Sequence, residues 1–167
     1  MRRNLYLYLT LACFVAIIGI FVVDGYMGIY DTLHITTDGQ RQRIEPDHWP
    51  RQDWVWVSTW VTWGDKAFFR YEVDNRWFSA YTADIEVSVW RGQEKVLDLI
   101  AQQISVLAFD EGQVEWVIDT TELLPSDVPP EQRYDYTLII KRAEIEREII
   151  VHINPPANPP DRPVPPR

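Results

Sequence analysis

Residues 54–63 read WVWVSTWVTW, and the alternation inside this run decides the fold. Val55, Val57, Thr59 and Val61 fall on one side of an extended chain, and Trp54, Trp56, Ser58, Trp60 and Thr62 on the other. A period of two, rich in β-branched and aromatic residues, marks a strand; a helix would return apolar residues every three or four positions.

The same period continues outward from this run. After a turn signal at Gly64-Asp65, residues 66–73 set Ala67, Phe69, Tyr71 and Val73 against Lys66, Phe68, Arg70 and Glu72. Residues 83–90 set Ala83, Ile85, Val87 and Val89 against Asp84, Glu86, Ser88 and Trp90, and Arg91-Gly92-Gln93 turns the chain. A turn is expected at Asp110-Glu111-Gly112, then a strand over 113–119, a polar proline-bearing loop over 120–132, and a last strand pair over 134–141 and 145–153. Residues 95–109 fit two patterns. Val96, Leu99, Ile100, Gln103, Ile104 and Leu107 line a helix face, yet the same residues allow two short strands, 96–99 and 103–108. Strand context on both sides selects strands. The sum is seven to nine strands about ten residues apart, an all-β class and an antiparallel β-sandwich.

Within this frame, Leu124-Pro125 followed by Tyr134-Asp135-Tyr136-Thr137-Leu138 resembles the tyrosine corner of immunoglobulin-like and fibronectin type III domains. The resemblance covers residues 54–153. It implies that Tyr134 is the corner residue, its hydroxyl returning to backbone in the preceding loop. It also implies that Tyr136 stands where antibody domains carry cysteine. Cys13 is the single cysteine of the chain, so an antibody-like disulfide is excluded. The resemblance implies an architecture and no activity.

Ahead of the strands, residues 5–23 (LYLYLTLACFVAIIGIFVV) carry no charge. Nineteen residues of helix span roughly 28 Å, close to the hydrocarbon core of a bilayer, so one transmembrane helix is expected. Arg2 and Arg3 precede it and no Lys or Arg follows until Arg41. That bias puts the stub 1–4 in the cytoplasm and the rest outside, at the plasma membrane. A cleavable signal peptide is the rival; its apolar region would be shorter, and no small-x-small cleavage pattern follows Val23. Residues 24–53, with Gly25, Gly28, Gly39, Pro46 and Pro50, are expected to be a juxtamembrane linker that holds a short β-leaning piece, 33–37, and is partly ordered because Tyr26, Ile29, Tyr30, Leu33 and Ile35 are too apolar for a free tether. Residues 154–167 hold seven of the twelve prolines and are expected to be an extended tail.

All 25 acidic residues and 14 of the 16 basic ones follow Val23, a net charge of −11. A field of that sign disfavours nucleic acid as a partner. His34, His48 and His152 lie at no metal-ligand spacing, and no nucleophile elbow, phosphate-binding loop or dinucleotide fingerprint occurs. The carboxylate sets Asp84/Glu86 and Glu144/Glu146/Glu148 share strand faces at a spacing of two, as a solvated side does. Arg147 points to the opposite face from Glu146 and Glu148. No catalytic residue, cofactor or metal is therefore expected.

The tryptophans are the unusual feature. A sandwich strand buries one face, yet the second face of residues 54–63 carries Trp54, Trp56 and Trp60. These three are the candidate interaction residues. Their expected cover is the segment 29–49 folding back on the sandwich; a protein partner, a second copy of the chain or a carbohydrate are the other covers. The expected role is a membrane-anchored, extracytoplasmic, non-catalytic interaction or accessory subunit. The alternative is a membrane-tethered carbohydrate- or cell-wall-binding module.

Overall fold

A computed structural model describes residues 2–37, 40–44, 57–123 and 131–156. Helix α1 (Arg2–Tyr26) leads into nine strands: β1 (Ile29–Thr37), β2 (Gln40–Ile44), β3 (Val57–Thr62), β4 (Lys66–Asn75), β5 (Tyr81–Arg91), β6 (Glu94–Val106), β7 (Asp110–Asp119), β8 (Tyr134–Arg142) and β9 (Ile145–Asn154). A single turn of helix, α2 (Thr120–Leu123), follows β7. The strands form two sheets, β2-β1-β4-β7 and β3-β9-β8-β5-β6.

The fold is mostly β, with two sheets and mostly antiparallel pairing. One pair departs from the antiparallel expectation. β3 runs parallel to β9, with Val57 opposite Ile149 and Thr62 opposite Asn154. The alternation in the sequence becomes alternation in burial. Val57, Thr59 and Val61 of β3, Ala67, Phe69, Tyr71 and Val73 of β4, and Ile85, Val87 and Val89 of β5 all face the core. Leu138, Ile140, Ile149 and Val151 meet them from β8 and β9, and Trp116 stacks on Phe69 at 5.5 Å. Burial of this interdigitated apolar area is the main force holding the two sheets together.

Three expectations are corrected by the sheets. First, part of the stretch 24–53 is sheet rather than linker. β1 lies between β2 and β4, pairing from Ile29 with Asn75 to Thr36 with Phe68. Asp31, Leu33, Ile35 and Thr37 are buried at alternate positions, while the polar Thr32, His34 and Thr36 on the other side disguise the strand. Second, residues 94–106 form one long strand antiparallel to β5, not two short ones; register shifts beside Ser88 and Trp90 absorb the mismatch. Third, the turn before β7 lies at residues 107–109. Asp110 and Glu111 already pair with Asn75 and Asp74. Phe109 makes that turn, at φ 57. Gly112 is required for a different reason: a Cβ there would come within 2.5 Å of the Val106 side chain, because β6 and β7 close tightly at this edge.

The helix α1 covers the whole apolar stretch 5–23. Its described side chains, those of residues 6 and 8–19, are exposed. Among the described residues no helix is long and apolar enough to cross a membrane. Of the tail 154–167, Asn154 ends β9 and residues 157–167 lie outside the described residues, as do Trp54, Trp56, Leu124 and Pro125.

Candidate interaction surface

Of the three tryptophans expected to form an interaction face, the structure describes Trp60. It points outward from the edge strand β3 and is 49% exposed. Pairing places Trp60 opposite His152 on β9, and His152 opposite Asp135 on β8. The three side chains therefore form a row across three strands. The indole stacks on the His152 ring at 4.2 Å between centroids, and the Arg133 guanidinium lies over the indole at 5.5 Å. Asp135 ties the row together. Its Oδ1 lies 2.7 Å from His152 Nδ1 and 3.0 Å from Arg133 Nε, and its Oδ2 accepts from Arg133 Nη2 at 3.3 Å. The hydrogen bond with His152, helped by the charge of Arg133, holds the Asp135 carboxyl below its ordinary value. The result is a half-exposed indole with an imidazole stacked on it and a guanidinium over its ring, both bound to one carboxylate.

Among its described residues, the segment 29–49 does not pair with this row. Its described strands, β1 and β2, belong to the opposite sheet, and Leu33 and Ile35 turn into the core. The reason is the inward alternation of β1, which gives this segment a buried place of its own.

The most charged part of the interior lies away from the expected site residues. Asp31, 1% exposed, accepts from Arg147 Nε and Nη2, both at 3.1 Å, and from the Tyr71 hydroxyl at 2.9 Å. Arg142 Nε donates to the Tyr71 hydroxyl at 3.0 Å, and its Nη1 to that of Tyr81 at 2.9 Å. Arg142 Nη2 lies 3.9 Å from Asp31 Oδ1 and makes no hydrogen bond among the described residues. Asp31 and Tyr71 come from one sheet, Arg142, Arg147 and Tyr81 from the other. The cluster is thus an ionic clamp between the sheets. Burial and the Asp31 charge push the Tyr71 phenol far above its ordinary 10.0. Burial opposes the charge on Arg142, but Tyr71 and Asp31 outweigh it and keep the guanidinium protonated. The sequence does carry a signal for this clamp. Arg142 and Arg147 occupy inward positions of alternating strands, as Asp31 does in β1.

The corner hydrogen bond is present, but on a different tyrosine from the one expected. Tyr136, 1% exposed, donates from its hydroxyl to the Leu123 carbonyl at 2.9 Å. Tyr134 is only half-buried at the strand entrance, with Arg91 over its ring at 5.2 Å. Two residues further into the sandwich, Tyr136 sits deep enough for its hydroxyl to meet the end of α2.

Elsewhere, the outer face of the four-stranded sheet forms an open groove of about 500 Å³ around Phe68, with His34, Arg41, Arg43 and Arg70 at its sides. His34 and Arg70 there engage Glu72, at 2.9 and 3.0 Å. Among the described residues no three His, Cys, Asp or Glu side chains gather as a metal site.

No protein-family model matches the chain, and no curated protein matches it. Among solved structures, a β-glucosidase from Listeria innocua in complex with gluconolactone is 12% identical over 57% of this chain and 14% of its own, with a TM-score of 0.43. The periplasmic chaperone SfaE is 15% identical over 60% of this chain and 55% of its own, with a TM-score of 0.40. An alkylpurine DNA glycosylase, AlkC of Pseudomonas fluorescens, is 7% identical over 59% of this chain and 29% of its own, with a TM-score of 0.37. The chain thus spans about one seventh of the glucosidase and about half of the chaperone. Scores of this size assign neither family nor activity.

Proposed function

We propose that this chain is a single-pass, membrane-anchored interaction or accessory subunit, non-catalytic, whose immunoglobulin-like domain stands outside the plasma membrane and binds a protein partner through the surface around Trp60. The anchor is α1: its stretch 5–23 is free of charge, two arginines precede it, and Tyr6, Tyr8, Tyr26 and Tyr30 flank its ends. The immunoglobulin-like reading is supported by the two-sheet packing, by an edge strand, β3, parallel to the last strand, and by the corner bond from Tyr136 to Leu123. The observation that carries the function is Trp60. A half-exposed indole, stacked on His152 with the Arg133 guanidinium over its ring, is the kind of aromatic anchor on which interfaces concentrate their binding energy.

Two measurements test this reading. Protease added to intact spheroplasts should digest the sandwich; full protection, or a mature N-terminus near residue 24, refutes the topology. The chain extracted in mild detergent should bring down a stoichiometric protein, and Trp60→Ala should release it. The second reading, a carbohydrate- or cell-wall-binding module, rests on the same flat indole beside hydrogen-bonding side chains. It predicts that oligosaccharide quenches Trp60 in the absence of any protein.

A further inference from the structure

The end of the sandwich that receives α1 carries an aromatic cluster separate from the Trp60 surface. Trp77 and Phe78, in the connection 76–80, are 47% and 72% exposed; Leu107 and Phe109, in the turn 107–109, are 66% and 60% exposed. Phe78 meets Phe109 edge to face at 5.2 Å, and Trp77 lies 6.2 Å from Phe78. The two connections are pinned together by one buried amide. Asn75 Nδ2 donates to the carbonyls of Ser79 at 2.9 Å and Leu107 at 2.8 Å, and its Oδ1 accepts from the Trp77 amide at 3.1 Å. Phe109 holds a left-handed φ of 57, a conformation that bulky residues adopt only where the surroundings impose it. The cluster is therefore built to be presented, and four large apolar side chains projecting together mark a surface meant to be covered.

Its position says by what. Only Met27 and Gly28 separate α1 from β1. The Arg76 amide donates to the Gly28 carbonyl at 2.9 Å, and Ile29 pairs with Asn75. Three Cα steps span at most about 11 Å, so the cluster lies beside the point where the chain leaves the helix. We propose that Trp77, Phe78, Leu107 and Phe109 insert into the headgroup–acyl boundary of the phospholipid bilayer that α1 crosses and seat the sandwich on the membrane. This rests on the reading of α1 as a membrane span. Trp and Phe on an otherwise polar body are the composition that interfacial seating uses. The charges around the cluster favour a zwitterionic surface over an anionic one: Arg76 is spent on Asp74 at 2.6 Å, while Asp110 and Glu111 follow Phe109 and Glu144 lies in the turn after β8.

The test uses the full chain with Cys13→Ser and a fluorescent label on Ser79→Cys, in phosphatidylcholine vesicles containing nitroxide-labelled acyl chains. The same label on Gln93→Cys, in the turn at the opposite end, is the reference. Both positions are exposed. Acyl-chain quenching should be about threefold or more stronger at 79 than at 93. The surface variant Trp77→Ser/Phe78→Ser/Phe109→Asn should bring it down to the reference. Equal quenching at 79 and 93 overturns the proposal. Carbonate extraction of the same vesicles reports on α1 separately. A chain that carbonate releases, yet that is quenched at 79 beforehand, upholds the seating and refutes the span; a chain retained but unquenched at 79 refutes the seating alone.

Discussion

Replacing Asp31 with asparagine removes the carboxylate that two buried guanidinium groups share. In the parent, Arg147 makes a two-point contact with Asp31, and Arg142 Nη2 approaches Asp31 Oδ1 to 3.9 Å. The substitution keeps the shape but leaves two positive charges facing a neutral amide in a place that water does not reach. Removing one partner of a buried ion pair costs about 3–5 kcal/mol, much of it the penalty of the stranded charge. A domain of this size has a total of roughly 5–15 kcal/mol to lose, so the variant should sit close to unfolding, with Tm lower by about 10–20 °C. Arg147→Met is the informative comparison. It leaves Asp31 with the Tyr71 hydroxyl and with Arg142, one carboxylate against one guanidinium, and should cost less, about 1–3 kcal/mol. Urea titration of the full chain in mild detergent, followed by tryptophan fluorescence and far-ultraviolet circular dichroism, gives both numbers. An Asp31→Asn loss under about 1 kcal/mol, or a larger loss for Arg147→Met, would refute the clamp as an added tie between the sheets.

Three further outcomes are expected. Tyr136→Phe should cost about 1–2 kcal/mol in the same urea titration, because the Leu123 carbonyl loses its buried donor, and Tyr134→Phe should cost only a few tenths; the reverse order would return the corner to Tyr134. A fragment starting at Arg51 lacks β1, and with it Asp31, Leu33 and Ile35, so it should show no cooperative transition by circular dichroism, while one starting at Met27 should; cooperative melting of the shorter fragment would make β1 dispensable. Asp135 has a lowered folded pKa, so its contribution is present above the ordinary value of 3.8 and is lost as pH falls through the lower folded value. The stability gap between the parent and Asp135→Asn should therefore close as pH falls below 3.8, from a small starting size because the carboxylate is half solvated.

Much of the fold is legible in the sequence because its strands bury one face. β4, β5, β7, β8 and β9 each alternate apolar against polar residues, and that alternation is enough to place them. β1 is legible only in its second half, 33–37, because Asp31 and Thr37 occupy inward positions, so a strand with a polar core contact looks like part of a punctuated linker. The clamp escapes for a related reason. An arginine at an inward position reads as an exception until its carboxylate is known, and Asp31 lies 111 residues before Arg142. Tyr134 and Tyr136 share one strand parity, so the pattern cannot choose between them; depth in the sandwich does. For the surface, the sequence marks Trp60 as outward. It cannot supply His152, Asp135 and Arg133 as its neighbours, because the parallel pairing of β3 with β9 brings them together and no local pattern encodes that pairing.

Trp60 is the proposed point of contact with a protein partner. Replacing it with a photoreactive benzoyl-phenylalanine in the full chain, and irradiating native membranes, tests this directly. The prediction is one discrete protein adduct at position 60, weakened by Arg133→Ala and missing when the probe stands at Lys95 on β6. Equal labelling at positions 60 and 95, or an adduct at 60 that soluble oligosaccharide abolishes, would contradict it.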